Sequence, residues 1–470
     1  MSELKLRPPA NTIGKSSQEL GHDLLPRRVV FRSRVCHYER RKKAMEKVTP
    51  TIARQVLPNG LVLVVEPMAH ARSVSIGMWL GAGSRREPAA LNGMAHFIEH
   101  MVFKGTERRS AEQIAREVDS VGGMLDAFTS KEAACFNARV LDEHLPLAFD
   151  VLSDLVLRPL FAEEDIAKEK QVILEEIRME EDNPEAVAHE VLTQNFWRGH
   201  PLGWPIIGTR TTVRRFTRAA MVDCFGPWYA PNNLVITAAG HVVPEKLLGL
   251  VEATFGGRRP RRRTGAVSPA PKPHARLVVR NKPALEQAHI TIAVPSYPLA
   301  HPRRYAASVL NNILGGGMSS RLFQNIRERQ GLAYAVFSDM TPYSDAGMLS
   351  VYAGTGRQNV GRVLRLVAQE FRRLKQEAVS EEELRRAKDH LKGSLVLSLE
   401  SSGARMSSLA RQEMYLERFY TIKELQAALE AVTREEVQEI AQEFFHPEKI
   451  AVTVVGPLGG FRLKRDLLAC

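Results

Sequence analysis

Hydrophobic and polar positions follow two periods along the chain. Strand patterns run over Leu61 to Val65 and over Ala288 to Val294. From Glu163 to Asp182 the period becomes helical: Ile166, Ile173 and Ile177 form an apolar stripe at i, i+7 and i+11, and Asn183-Pro184 ends the helix. Ser110 opens another helix with Gln113 as its capping-box partner, and Gly122 closes it. Strand-like runs flank helices in similar order in both halves, which points to internal duplication. One segment breaks amphipathicity. Met94, Ala95, Phe97, Ile98, Met101, Val102 and Phe103 are apolar nearly all round, as in a buried helix, yet the same helix carries His96, Glu99 and His100.

The length of 470 residues predicts two or three domains with ample core. Gly256 to His274 holds five arginines and four prolines without an apolar period and reads as an extended linker. The expected organisation is a basic extension over 1–50, a first domain over 51–257, a linker over 258–274 and a second domain over 275–470. The first 50 residues carry 12 Lys+Arg and 5 Asp+Glu, which is +7 of the net +12, and are expected to be disordered. They contain no apolar run of signal-peptide length, and no segment of the chain reaches transmembrane length. The four cysteines lack metal or disulfide spacing, which suits a reducing compartment: the cytoplasm, or the mitochondrial matrix if the basic extension is a transit peptide.

His96 and His100 lie one helical turn apart, so both imidazoles can aim at one point, with Glu99 placed to reach a water held there. Two histidines and a carboxylate at this spacing suit zinc with an activated water. Buried without a partner or a metal, they would cost several kcal/mol. The order His-x-x-Glu-His is the inverse of His-Glu-x-x-His and is the inverzincin signature. Zinc also needs a third protein ligand, leaving a fourth position for water. On the Glu163 to Asp182 helix, Glu169, Glu176 and Glu180 share one face while Glu175 points the opposite way. Periodicity does not choose among the three.

The run His96-Phe97-Ile98-Glu99-His100-Met101-Val102-Phe103-Lys104-Gly105-Thr106, with Gly122-Gly123 and Asp126-Ala127-Phe128-Thr129-Ser130-Lys131-Glu132 after it, resembles the pitrilysin-type metallopeptidases, closest to their processing-peptidase branch. The resemblance covers roughly residues 52 to 457. It implies an α+β fold of two homologous domains, each a largely antiparallel sheet packed against helices, with one Zn2+ per chain in the first. His96, His100 and Glu176 would be the ligands, Glu99 the general base and Glu169 a supporting carboxylate. Asp126, Ala127 and Phe128 would lie on an edge strand, Leu125 to Thr129, that binds substrate backbone; Asp126 stands where the family usually has Asn. In the second half, Asn311 to Leu322 followed by Arg327 and Tyr334 resembles the element with which the family binds substrate and polarises the scissile carbonyl.

These observations converge on a zinc-dependent endopeptidase acting on extended peptides, with Glu99 taking a proton from water and returning it to the leaving amine. The resemblance also implies two such two-domain units facing each other around a chamber, hence a homodimer or pairing with a zinc-less homologue. The alternative is a non-catalytic scaffold subunit of the same fold, against which the filled positions His96, Glu99, His100 and Glu176 weigh. A zinc hydrolase of another bond is the rival enzymatic reading. The arginine-rich segments come with no recognition motif, so no specific nucleic acid is expected.

Overall fold

The computed structural model describes residues 45–49, 51–261, 270–416 and 418–470. The disorder expected over 1–44 and the middle of the linker lie outside the described residues. Two α+β units follow one another. The first contains β1 (Glu46–Lys47), β2 (Ala53–Val56), β3 (Val62–Pro67), β4 (Ser73–Leu80), α1 (Met94–Val102), α2 (Ala111–Asp119), β5 (Met124–Thr129), β6 (Ala134–Leu141), α3 (Leu145–Leu157), α4 (Glu163–Asp182), α5 (Pro184–Phe196), α6 (Arg210–Arg215), α7 (Arg218–Trp228), β7 (Leu234–Gly240) and α8 (Pro244–Phe255). The second contains β8 (Leu277–Asn281), β9 (Gln287–Ser296), α9 (Arg304–Gly315), β10 (Ala333–Pro342), β11 (Gly347–Gly356), α10 (Val360–Gln376), α11 (Glu381–Leu399), α12 (Ser402–Tyr415), α13 (Ile422–Glu430), α14 (Arg434–Phe444) and β12 (Ala451–Gly456).

The first sheet has the order β1-β2-β3-β7-β4-β6-β5 and the second β10-β11-β9-β12-β8. In each sheet one pair is parallel, β3 with β7 and β8 with β12, and the others are antiparallel. Without β1 and β2, the two orders are the same walk through five strands, so the chain is a structural duplication. The sheet begins earlier than composition suggested. Met45 is buried, and Glu46 and Lys47 pair with Arg54 and Ala53 across a turn in which Val48 donates to the Ile52 carbonyl (3.0 Å). The charge of the preceding residues, continued by Glu46 and Lys47, masked this short pairing.

Both sheets are covered on both faces. Leu63, Val65, Ile76 and Met78 face a core shared with α1, α3 and α8, while Val64, Trp79, Val235 and Ala239 face Met406, Leu409, Ala410 and Met414 of α12. The second sheet turns Ile290, Ile292, Val351 and Val454 to α9, α10 and α14, and its other face meets Val187, Val191, Leu192 and Phe196 of α5. Each unit thus lends one helix to the other's sheet. Double burial explains why β4 and β7 are buried at nearly every position rather than at alternate ones. Polar contacts tie the exchange: Arg54 grips Glu413 with two bonds (2.7 and 2.8 Å), Arg405 meets Glu66 (2.6 Å), and Thr291 donates to the Ala188 carbonyl (3.1 Å). At Gly77 a Cβ would stand 2.9 Å from the Met406 sulfur, so glycine is what lets α12 approach. Among the described residues, no helix is long and apolar enough to cross a membrane.

Candidate metal centre

Helix α1 is buried around nearly its whole circumference, with Met94, Phe97, Ile98, Met101 and Val102 in the core. Its helical period leaves His96 and His100 stacked one turn apart, ring centroids 4.5 Å from each other. Helix α4 crosses them. Its apolar stripe of Ile166, Ile173 and Ile177 packs into the same core, which turns Glu169 and Glu176 towards the imidazoles. His96 Nε2 is 3.7 Å from one Glu176 oxygen and His100 Nε2 is 3.7 Å from the other. One ligand atom from each of the three residues can be chosen so that all lie within 4.8 Å of one another. Of the three glutamates that periodicity left open, Glu176 is the one facing both rings.

Those donors fit a metal ion. Imidazole and carboxylate atoms bound tetrahedrally to zinc at about 2.0–2.2 Å stand about 3.4 Å apart. A separation of 3.7 Å is too long for a hydrogen bond. His96 Nδ1 and Glu176 Oε2 are buried without a hydrogen-bond partner, a cost that a cation between the three side chains would relieve for the carboxylate. Burial, and secondarily the His100 charge, lowers the His96 pKa to about 4, so its lone pair is free at neutral pH. Burial also acts to lower His100, but the hydrogen bond to Glu169 and the charges of Glu176, Glu169 and Glu99 outweigh it and raise the pKa.

Glu169 sits two turns before Glu176, its side chain 4% exposed. It accepts from His100 Nδ1 (2.8 Å) and from Lys104 Nζ (2.7 Å). Because a carboxylate only accepts, the proton of that bond sits on Nδ1 and Nε2 is the ring atom turned to Glu176. Burial raises the Glu169 pKa, yet the His100 and Lys104 bonds prevail and hold it below the usual carboxylate range. Glu180, the third candidate, has a carboxyl raised by burial and by the charges of Glu190 and Glu176.

Glu99 receives the Thr129 hydroxyl. Its pKa is raised, chiefly by burial, against the opposing pull of that hydrogen bond. Thr129 ends β5, which pairs with β6 on one side only and forms the edge of the sheet. Leu125 and Ala127 pack against the core, while Met124, Asp126 and Phe128 are exposed. Asp126 Oδ1 accepts from the Ala127 N–H (2.9 Å), and Phe128 meets the Trp79 ring edge-on at 5.6 Å. The open backbone edge therefore runs directly past the glutamate.

Arg327 and Tyr334 belong to the second unit. Arg327 lies on a π-helical turn, Phe323–Glu328, with its guanidinium 4.7 Å from the Phe323 ring centroid and 4.8 Å from that of Tyr334. Tyr334 is 80% exposed at the start of β10, the edge strand that corresponds to β5 by topology. Their described contacts are with each other and their own unit, not with the His96, His100 and Glu176 group. Sequence reasoning missed Lys104, whose signal was its place one turn after His100 on the same face, and Thr129, quoted in a motif without a role. It also missed Glu87, whose carboxylate accepts from the backbone N–H of Gly93 (2.8 Å) and of Ala95 (2.7 Å) at the start of α1.

Residues 62–210 match the family description "Insulinase (Peptidase family M16)", and residues 215–391 match "Peptidase M16 inactive domain". The second match begins ahead of β7, so the family segments do not coincide with the two structural units. The chain is 39% identical over 408 residues to the uncharacterized zinc protease YmxG of Bacillus subtilis, covering 87% of this chain and 99% of that one. It is 40% identical over 417 residues to an uncharacterized zinc protease of Mycobacterium bovis, covering 87% of this chain and 94% of that one. In fold it is similar to a protease from Helicobacter pylori (TM-score 0.81, 20% identity, 87% of this chain and 100% of that one). It is also similar to a peptidase M16 inactive domain from Pseudomonas fluorescens (TM-score 0.80, 22% identity, 86% and 98%). Family models, relatives and fold agree: the chain belongs to peptidase family M16, the pitrilysin-type peptidases.

Proposed function

We propose that the protein is a zinc-dependent endopeptidase that cleaves extended peptide segments. The observation that carries this reading is the position of Glu99, which stands between the His96, His100 and Glu176 donors and the open edge of β5, hydrogen-bonded by the last residue of that strand. Zinc held by those donors supplies a Lewis acid and lowers the pKa of water towards about 7. Glu169 orients the His100 ring through Nδ1 and keeps its charge through Lys104. A peptide added to β5 as a further strand places a main-chain carbonyl beside Glu99, with Asp126, Ala127 and Phe128 supplying the backbone edge. Glu99 takes the water's proton and returns it to the departing amine, for which a raised carboxyl pKa is suited. Only an extended chain can pair with a strand edge, so folded proteins are poor substrates.

Arg327 and Tyr334 are the residues we assign to the carbonyl oxyanion, supplied by a second copy of the chain facing the first. The exposure of Tyr334, and described contacts of both residues that stay within their own unit, favour such a pairing. Sedimentation of the pure protein tests it: a monomer at micromolar concentration would sink it.

The test of the activity is Glu99→Gln, close in shape and still within reach of the Thr129 hydroxyl. Zinc content should match wild type, while cleavage of a disordered peptide falls by about 10²- to 10⁴-fold. Near-normal cleavage by this variant overturns the assignment. A wild-type protein that carries no zinc and cleaves nothing favours the scaffold reading instead.

A further inference from the structure

We infer that Glu87 is the positioning residue that sets the His96–His100 helix against Glu176; this rests on the zinc reading proposed above. Helix α1 starts on Gly93, which has φ of +96° and no side chain with which to cap. The first N–H groups of a buried helix still require acceptors. Glu87, only 2% exposed, supplies them from six residues upstream. One oxygen accepts from Gly93 N–H (2.8 Å) and the other from Ala95 N–H (2.7 Å), the residue before His96. Asn92 Nδ2 ties the first oxygen (3.2 Å) to the Pro205 carbonyl (2.9 Å). Behind the cap, backbone meets backbone: a Cβ at Gly93 would stand 2.6 Å from the Gly208 Cα.

This clamp fixes rotation and not only stability. Successive residues turn by about 100° around the helix axis, so a small rotation of α1 swings both imidazoles together, while Glu176 stays on a different helix. A bidentate carboxylate holding two N–H groups of the first turn resists that rotation, because breaking either bond strands a buried donor. The same anchor reaches the substrate edge. Lys131, half-buried and bonded to the Trp204 carbonyl, is a cation acting on Glu87, and it lies two residues after Thr129, which holds Glu99.

A cap that merely stabilised the helix would lower the melting temperature and leave the metal site alone. Glu87→Ala and Glu87→Gln, with Ser110→Ala at the cap of the remote α2 as control, separate the two cases. Zinc affinity by chelator competition and the absorption spectrum of the cobalt-loaded protein are read beside thermal unfolding and peptide cleavage. Expected is a loss of zinc affinity of about tenfold or more for Glu87→Ala, within the range for residues that orient metal ligands, with an altered cobalt spectrum. Glu87→Gln, which keeps one acceptor, falls between it and wild type, and Ser110→Ala loses stability with affinity and spectrum unchanged. Should Glu87→Ala not fold, Glu87→Gln decides. Wild-type affinity and an unaltered spectrum in a folded Glu87 variant overturn the inference and leave the zinc reading intact. A wild-type chain that binds neither zinc nor cobalt overturns both.

Discussion

Glu169 bears two opposed demands: it is almost entirely buried, and it must stay ionised. Two donors, His100 on α1 and Lys104 two residues past its end, meet those demands. That arrangement explains which site residues could be read in advance. His96, Glu99 and His100 relate to one another by helical period alone, so spacing along the sequence suffices, whereas Lys104 acts from beyond the end of the helix and was missed. The glutamates of α4 were legible as a set of three and no further, because a helical face specifies an angle and not the register of a partner helix. Glu87 was illegible for a different reason. Its reach to Gly93 and Ala95 starts at the end of one 3-10 turn, Ser84–Arg86, and crosses another, Ala89–Leu91, a backbone path that follows no repeating period.

At the scale of elements, local chemistry set the boundaries wherever a side chain satisfied the backbone. Helix α4 spans Glu163–Asp182 and the Ser110–Gln113 capping box is present, both as the pattern predicts. Asn183-Pro184 does end α4, but Asn183 also accepts from the N–H groups of Glu185 and Ala186, and so it begins α5 at once. Helix α11 shows how such a cap couples to charge. Glu383 completes the box with Ser380 and also takes two bonds from Arg321, both 2.9 Å. Burial raises the Glu383 pKa, but the Arg321 bond and charge prevail and hold it below its ordinary 4.5. A carboxylate depressed on folding contributes stability that is complete above its unfolded pKa and is lost as pH falls through the folded one. Arg321→Met should therefore destabilise the protein by about 1 kcal/mol at neutral pH, with the difference from wild type narrowing once the pH drops below about 4.5. Urea unfolding of both proteins at several pH values measures this, and a gap that widens on acidification would contradict it.

The whole molecule depends on an exchange that no local pattern announces. A stripe of Val187, Val191 and Phe196 tells that α5 buries a face, and nothing in its spacing tells that the partner is the sheet of the other unit. The linker composition and the similar order of elements made two duplicated units legible, but they carried no sign of how the units pack on each other. In the structure each sheet has one face closed by a helix from the other half: α5 on β9 and β12, α12 on β4 and β7. Cutting the chain between residues 262 and 269 would leave the first half with Val64, Trp79, Val235 and Ala239 uncovered and α5 without a surface to pack on. Exposed apolar area of that extent drives association. The two fragments expressed alone should aggregate or bind a hydrophobic dye, whereas co-expressed they should purify together and unfold in one transition. A first fragment that is monomeric, dye-free and cooperatively folded on its own would show that the exchanged helix is dispensable.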